Sequence, residues 1–190
     1  MPSVTLPTTN ATNVIASGTI NWGNPQDCEL NDSYYATGST SSLIVVTLDA
    51  VLVKGGAKGA TIKNLTLPLN VEGTIVYGGS SDMWGETLSP SDINSSSFGC
   101  AFRLVYQVAL PTLFTNELWC DTFGFSIPAE ATITGIEVSV KGYYTVAASR
   151  PPGYTERANY VTITIHYYVD TPTSTITGIQ SITGIQSITF

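Results

Sequence analysis

Hydrophobic and polar residues alternate with a period of two along much of this chain. In Tyr160 to Val169, YVTITIHYYV, the residues Val161, Ile163, Ile165, Tyr167 and Val169 fall on one face and Thr162, Thr164 and His166 on the other. That is the pattern of a half-buried β-strand. In AFRLVYQV, Phe102, Leu104, Tyr106 and Val108 alternate with Arg103, Val105 and Gln107; in TGIEVSVKG, Ile136, Val138 and Val140 oppose Glu137, Ser139 and Lys141. Leu43 to Val53, LIVVTLDAVLV, is more continuously apolar, which fits either one strand covered on both faces or two short strands meeting near Asp49 and Ala50. Val14 to Trp22, Ile62 to Leu69 and Gly73 to Tyr77 are further strand candidates.

Between these segments lie NWGNPQD, VKGGAKG, YGGSSDMWG, SPSDINSSSFG and SRPPGYTE, whose Gly, Pro, Asn, Asp and Ser break helices and build turns. No long window carries a helical apolar stripe. The expected fold is all-β, a single antiparallel β-sandwich of jelly-roll-like type. Residues 18–170 are expected to form the sandwich, with extended arms over 1–17 and 171–190.

The arm over 171–190 has its own signature. ITGIQSITGIQSITF repeats every six residues and sets Ile176, Ile179, Ile182, Ile185 and Ile188 at every third position, ahead of Phe190. A period of three matches neither a strand nor a helix, and an extended chain would point these isoleucines alternately to both sides. They are therefore expected to be buried in a groove of a neighbouring subunit.

Composition narrows the function classes. At 190 residues the length suits one domain with arms, and charged residues make up 11% of the chain against 43% hydrophobic. Seven Lys+Arg against fourteen Asp+Glu give a formal net charge of -7, which repels a nucleic-acid backbone. Lys54, Lys58 and Lys63 form the one basic cluster, inside a glycine-rich stretch. No segment has the roughly 20 apolar residues of a membrane span, and the amino-terminal stretch lacks the charge and apolar core of a secretory signal. No nucleic-acid or membrane partner is expected, and synthesis in a cytoplasm is. Cys28, Cys100 and Cys120 lack metal-ligand spacing; buried free thiols are the expected state, with a Cys100 to Cys120 bridge as the alternative.

Four segments carry a resemblance. INWGNPQDCELNDSYYAT, YGGSSDMWGETLSPSDINSSSFG, FGFSIPAEATITGIEVSV and ANYVTITIHYYV resemble a β-sandwich module of tailed-bacteriophage virion structural proteins, with the segments in a permuted order. The likeness spans most of residues 18–170. It implies a virion structural role, as a head decoration or cement subunit or as a tail-fibre or adaptor module, and brings no catalytic residues. The implied partners are other virion proteins, namely major capsid or tail subunits, together with further copies in a homotrimer or homodimer.

Within YGGSSDMWG, Gly78 and Gly79 permit tight backbone angles, Asp82 can cap a turn, and Trp84 is large enough to plug the sandwich. Phe98 is expected to cover the same end of the core, making these residues a structural corner. Catalysis finds little material. His166 lies mid-strand, no G-x-S-x-G elbow exists, and KGGAKGAT lacks phosphate-loop spacing. Asp27, Glu29 and Asp32, or Asp82 and Glu86 beside Trp84, offer carboxylates for sugar chemistry or calcium, though turn capping explains them. No enzyme activity, cofactor or metal is expected. Ten tyrosines and three tryptophans make glycan binding the competing reading, with Tyr34, Tyr35, Tyr143 and Tyr144 as candidate surface aromatics.

Overall fold

The computed structural model describes residues 2–14, 24–29, 36–40, 46–66, 68–106, 113–146 and 154–170. Within them eleven strands are formed: β1 (Ser3–Pro7), β2 (Asn10–Val14), β3 (Ala36–Thr40), β4 (Val46–Lys54), β5 (Ala57–Thr66), β6 (Gly73–Gly78), β7 (Gly99–Tyr106), β8 (Leu113–Phe114), β9 (Glu117–Asp121), β10 (Ala131–Val146) and β11 (Tyr154–Val169). A one-turn helix, α1 (Pro90–Ile93), precedes β7.

Two antiparallel sheets pack into an all-β sandwich. The first has the order β1-β11-β10-β6, with β3 also on β11; the second has the order β2-β9-β7-β4-β5, with β8 on β7. The alternation read along the chain maps onto the two faces. Ile136, Val138 and Val140 of β10 meet Val161, Ile163 and Ile165 of β11 in the core, and Leu48, Leu52, Phe102 and Leu104 line it from the second sheet. Burial of such side chains, about 1.5–3 kcal/mol each, drives the two layers together.

Leu43 to Val53 resolves, over its described part, into the single strand β4. Its core face carries Leu48, Ala50 and Leu52, and its other face carries Val51 and Val53, which pack with Ala101 and Trp119. β4 turns into β5 through Gly55 and Gly56, both at positive φ, as a two-residue hairpin turn requires.

The expectation of an arm over residues 1–17 is corrected at residues 3–14. β1 pairs with β11 from Ser3 opposite His166 to Pro7 opposite Thr162, and β2 pairs with β9 from Asn10 opposite Asp121 to Val14 opposite Glu117. Thr8 is fully buried at the crossover, and its hydroxyl donates to the carbonyls of Asn10 and Asp121. Each strand has only five residues, too short for its alternation to stand out; its partners lie more than a hundred residues away. The sandwich therefore begins by Ser3. The stretch SPSDINSSSFG also differs from a plain turn, because Ser89 and Asp92 form a capping box that holds α1.

Candidate functional site

The corner after β6 is built by backbone geometry first. Gly78 lies at φ +81°, and a Cβ on it would overlap the carbonyl oxygen of Ile136 and stand 2.6 Å from the Trp84 indole nitrogen. Gly135 lies equally close, its Cβ position falling on Gly79 and Ser80. The chain then folds onto β10: the N–H of Gly79 donates to Ile136 O at 3.1 Å, and the N–H of Ile136 donates to Asp82 O at 2.9 Å. A bulge in the β10–β11 register between Ile133 and Gly135 accompanies this docking.

Asp82 organises the turn. One carboxylate oxygen accepts from the Trp84 backbone N–H at 2.9 Å and the other from Lys63 Nζ of β5 at 2.7 Å. The hydrogen bond from Lys63, then that from the Trp84 N–H, holds the Asp82 carboxyl below its usual range. Trp84 itself sits at φ +56°, a left-handed conformation unusual for a bulky residue. What compensates is burial: the indole is 1% exposed, its N–H donates to Ile136 O at 3.0 Å, Tyr77 packs 6.4 Å away, and Lys63 Nζ lies 5.0 Å over the ring. Since Ile136 belongs to the first sheet and Lys63 to the second, Trp84 joins both layers. Tyr77 adds another tie, its hydroxyl donating to Leu48 O of β4 at 2.7 Å. Burial, with Asp49 and Cys100 nearby, pushes the Tyr77 phenol far above its ordinary pKa.

Gly78, Gly79, Asp82 and Trp84 are thus brought into one unit. Phe98 is buried in the same core, but its ring partner is Phe125 at 6.2 Å, and Phe125 in turn stacks on Phe123. In FGFSIP the core takes Phe123, Phe125 and Ile127, while Asn94 clamps the Ile127 backbone at both N–H and C=O. Tyr143 and Tyr144 are half-buried, and Tyr144 packs against the core. Tyr34, Tyr35, Ile176, Ile179, Ile182, Ile185, Ile188 and Phe190 lie outside the described residues.

Each of the three lysines that cluster in sequence pairs with a different carboxylate. Lys54 pairs with Asp92, Lys58 with Glu117 and Lys63 with Asp82. On the outer face of the second sheet Lys58 and Glu117, with Asp49 and Arg103, edge a small cleft of about 110 Å³ floored by Val51, Ala101 and Ile62. Glu117 is buried and accepts from Trp119 Nε1 at 3.0 Å as well as from Lys58; Asp49 accepts from Arg103 Nε at 3.0 Å. Its charges neutralise one another. Glu29 binds the Ala11 backbone N–H. His166 holds a strand position opposite Ser3. Among the described residues no group of three or more His, Cys, Asp or Glu side chains could hold a metal ion, and no helix is long and apolar enough to cross a membrane.

Cys100 and Cys120 are both free, fully buried and directly opposite in the β7–β9 register. The hydrogen bond with Cys100, together with burial, raises the Cys120 thiol well above its usual pKa.

The most open feature lies on and between two outer strands. Among the described residues β5 and β6 are the outermost strands of their respective sheets, and they follow one another in the chain, joined by residues 67–72. Leu69 bridges to Tyr144 of β10, and the Asn70 N–H donates to Tyr144 O, extending the β6 row backwards. Along this stretch Leu65 (40% exposed), Leu69 (47%), Val71 (68%) and Val76 (45%) stand in solvent. The alternation at Val76, between buried Ile75 and Tyr77, was legible in the sequence; that β6 lies at an edge was not.

No protein-family model, curated protein or solved structure matches this chain.

Proposed function

We propose that this chain is a structural subunit of a bacteriophage particle, of the capsid decoration or cement type, that works through protein–protein contacts. The observation that carries the reading is the exposure of Leu65, Leu69, Val71 and Val76 on and between the outer strands β5 and β6. Exposed apolar side chains at sheet edges are material that a protein contact buries. The segments behind the virion resemblance support a structural role, since Trp84, Phe98, Phe123, Phe125 and Ile127 are all spent on holding the sandwich together. Major capsid or tail subunits and further copies of the chain are the partners that follow from this reading. Particles assembled without the chain are expected to lose resistance to heat or low salt, and adding the purified chain back is expected to restore it. Deletion of residues 171–190 is expected to abolish capture. Particles indifferent to its presence, or a chain that instead reduces phage adsorption when its outer tyrosines are changed, would overturn the cement reading.

A further inference from the structure

We infer that the open edge of β6 receives residues 176–190 of a second copy of this chain, added as an antiparallel strand. This rests on the proposed assembly role and names the surface that would serve it.

The edges of the two sheets differ in how well they are guarded. A free strand edge is a template for another chain unless charge, proline or a bulge blunts it. β5 carries Lys58 and Lys63 and a register shift between Val51 and Val53, and β1 ends in Pro7. β2 is polar at Asn10, Thr12 and Asn13. β6 reads Gly-Thr-Ile-Val-Tyr-Gly, with no charge, no proline and no register shift against β10. Among the described residues β6 pairs with β10 alone, so one full row of its backbone donors and acceptors faces outward.

Residues 171–190 match that edge in chemistry and length. They contain no charged side chain, and their Ile and Thr favour extended structure. The repeat ITGIQS has six residues and β6 has six, so one extended repeat covers the edge, roughly 20 Å at 3.3 Å per residue. In an added strand Ile176 and Ile182 would share one face and Ile179 and Ile185 the other. One set would extend the face that carries Val76; the other would lie toward Leu65 of β5.

The covering of the outer isoleucines, more than reach, separates a second copy from the same copy as the source of this strand. β11 ends at Val169, opposite Ala131 at the start of β10. Between that point and the β6 edge stands the corner, with Gly79 and Ser80 against Gly135 and Asp82 bonded to Ile136. A strand from the same chain would also leave its outer isoleucines in water. A neighbouring copy, by contrast, can bring a surface of its own to cover that outer face.

The test uses the full chain with Cys28→Ser as background. Chains carrying V76C are mixed with chains carrying I182C under mild oxidation, while a separate preparation carries both changes in one chain. The expected result is a covalent heterodimer in the mixture, with sedimentation of the unsubstituted chain at the mass of a dimer or higher oligomer. V76K, and separately I179D with I185D, should each raise the dissociation constant at least tenfold. Unaltered melting of V76K would show that the fold survives. Cross-linking confined to single chains, or association unaffected by V76K, would overturn the inference. Capture on particles is scored separately: V76K chains that remain monomeric yet bind particles leave the cement role standing, and chains that associate through β6 but ignore particles do the reverse.

Discussion

The indole N–H of Trp84 donates to the carbonyl oxygen of Ile136 at 3.0 Å, across 52 residues of sequence. Through that bond and the Lys63 ammonium above the ring, a left-handed turn residue becomes the joint between two sheets. Trp84→Ala removes a buried ring and is expected to destabilise the protein by about 3–5 kcal/mol in denaturant unfolding. Trp84→Phe keeps most of the volume but leaves Ile136 O without the indole donor, for a smaller loss of about 1–3 kcal/mol.

Gly78 and Gly124 both have positive φ, yet only Gly78 is crowded. A Cβ at Gly124 meets nothing within 4 Å, whereas one at Gly78 collides with the Ile136 carbonyl and the Trp84 indole. G124A should cost about 1–2 kcal/mol, the strain of the left-handed conformation alone. G78A should cost more than that by at least about 2 kcal/mol, since overpacking adds to the strain. Thermal melts of the two variants side by side make the comparison.

Acid should loosen the corner and the cap of α1. Lys63 and the Trp84 N–H hold the Asp82 carboxyl below its usual range, and the Ser89 N–H and hydroxyl do the same for Asp92. A carboxyl with a depressed folded-state pKa contributes stability that is complete above the unfolded value, about 3.9. That contribution is lost as pH falls through the folded value. The melting temperature should therefore decline below about pH 4, and the acid limb should be shallower in D82N, whose amide oxygen can still accept from the Trp84 N–H. An identical acid limb in D82N would contradict the assignment.

Lys58 and Lys54 form ion pairs of unequal consequence. Lys58→Met leaves the buried Glu117 carboxylate with Trp119 Nε1 as its remaining donor, and should cost about 1–3 kcal/mol. Lys54 pairs with Asp92 in a more exposed setting, so Lys54→Met should change stability by less than about 1 kcal/mol. Urea unfolding with a common m-value separates the two.

Cys100 and Cys120 should resist alkylation in the native protein. Both thiols are fully buried, and that of Cys120 is held protonated, whereas the thiolate is the reactive form. In a C28S background, maleimide labelling at pH 8 should be negligible without denaturant and reach both cysteines once urea unfolds the chain. Fast native labelling would show that the β7–β9 pairing opens.

Much of the strand content was readable because alternation is local. Ile136, Val138 and Val140, or Val161, Ile163 and Ile165, declare their face from a period of two within one short segment, and the core uses them as that period dictates. Gly78, Asp82 and Trp84 were legible as a corner for a related reason, since their turn chemistry acts over a few residues. Nothing local distinguished β1 and β2 from an arm, because five-residue strands draw their stability from partners at the far end of the chain.

By itself, then, the sequence determined an all-β chain, which residues of its longer strands face inward, and where the tight corner falls. Only tertiary structure decided that Cys100 meets Cys120, that Lys58 reaches Glu117, and that β6 is the outermost strand of its sheet among the described residues. The physical reason is that side-chain period is a property of neighbouring dihedral angles, whereas strand order and register depend on closing loops between distant segments, and their energy resides in contacts that no short window contains.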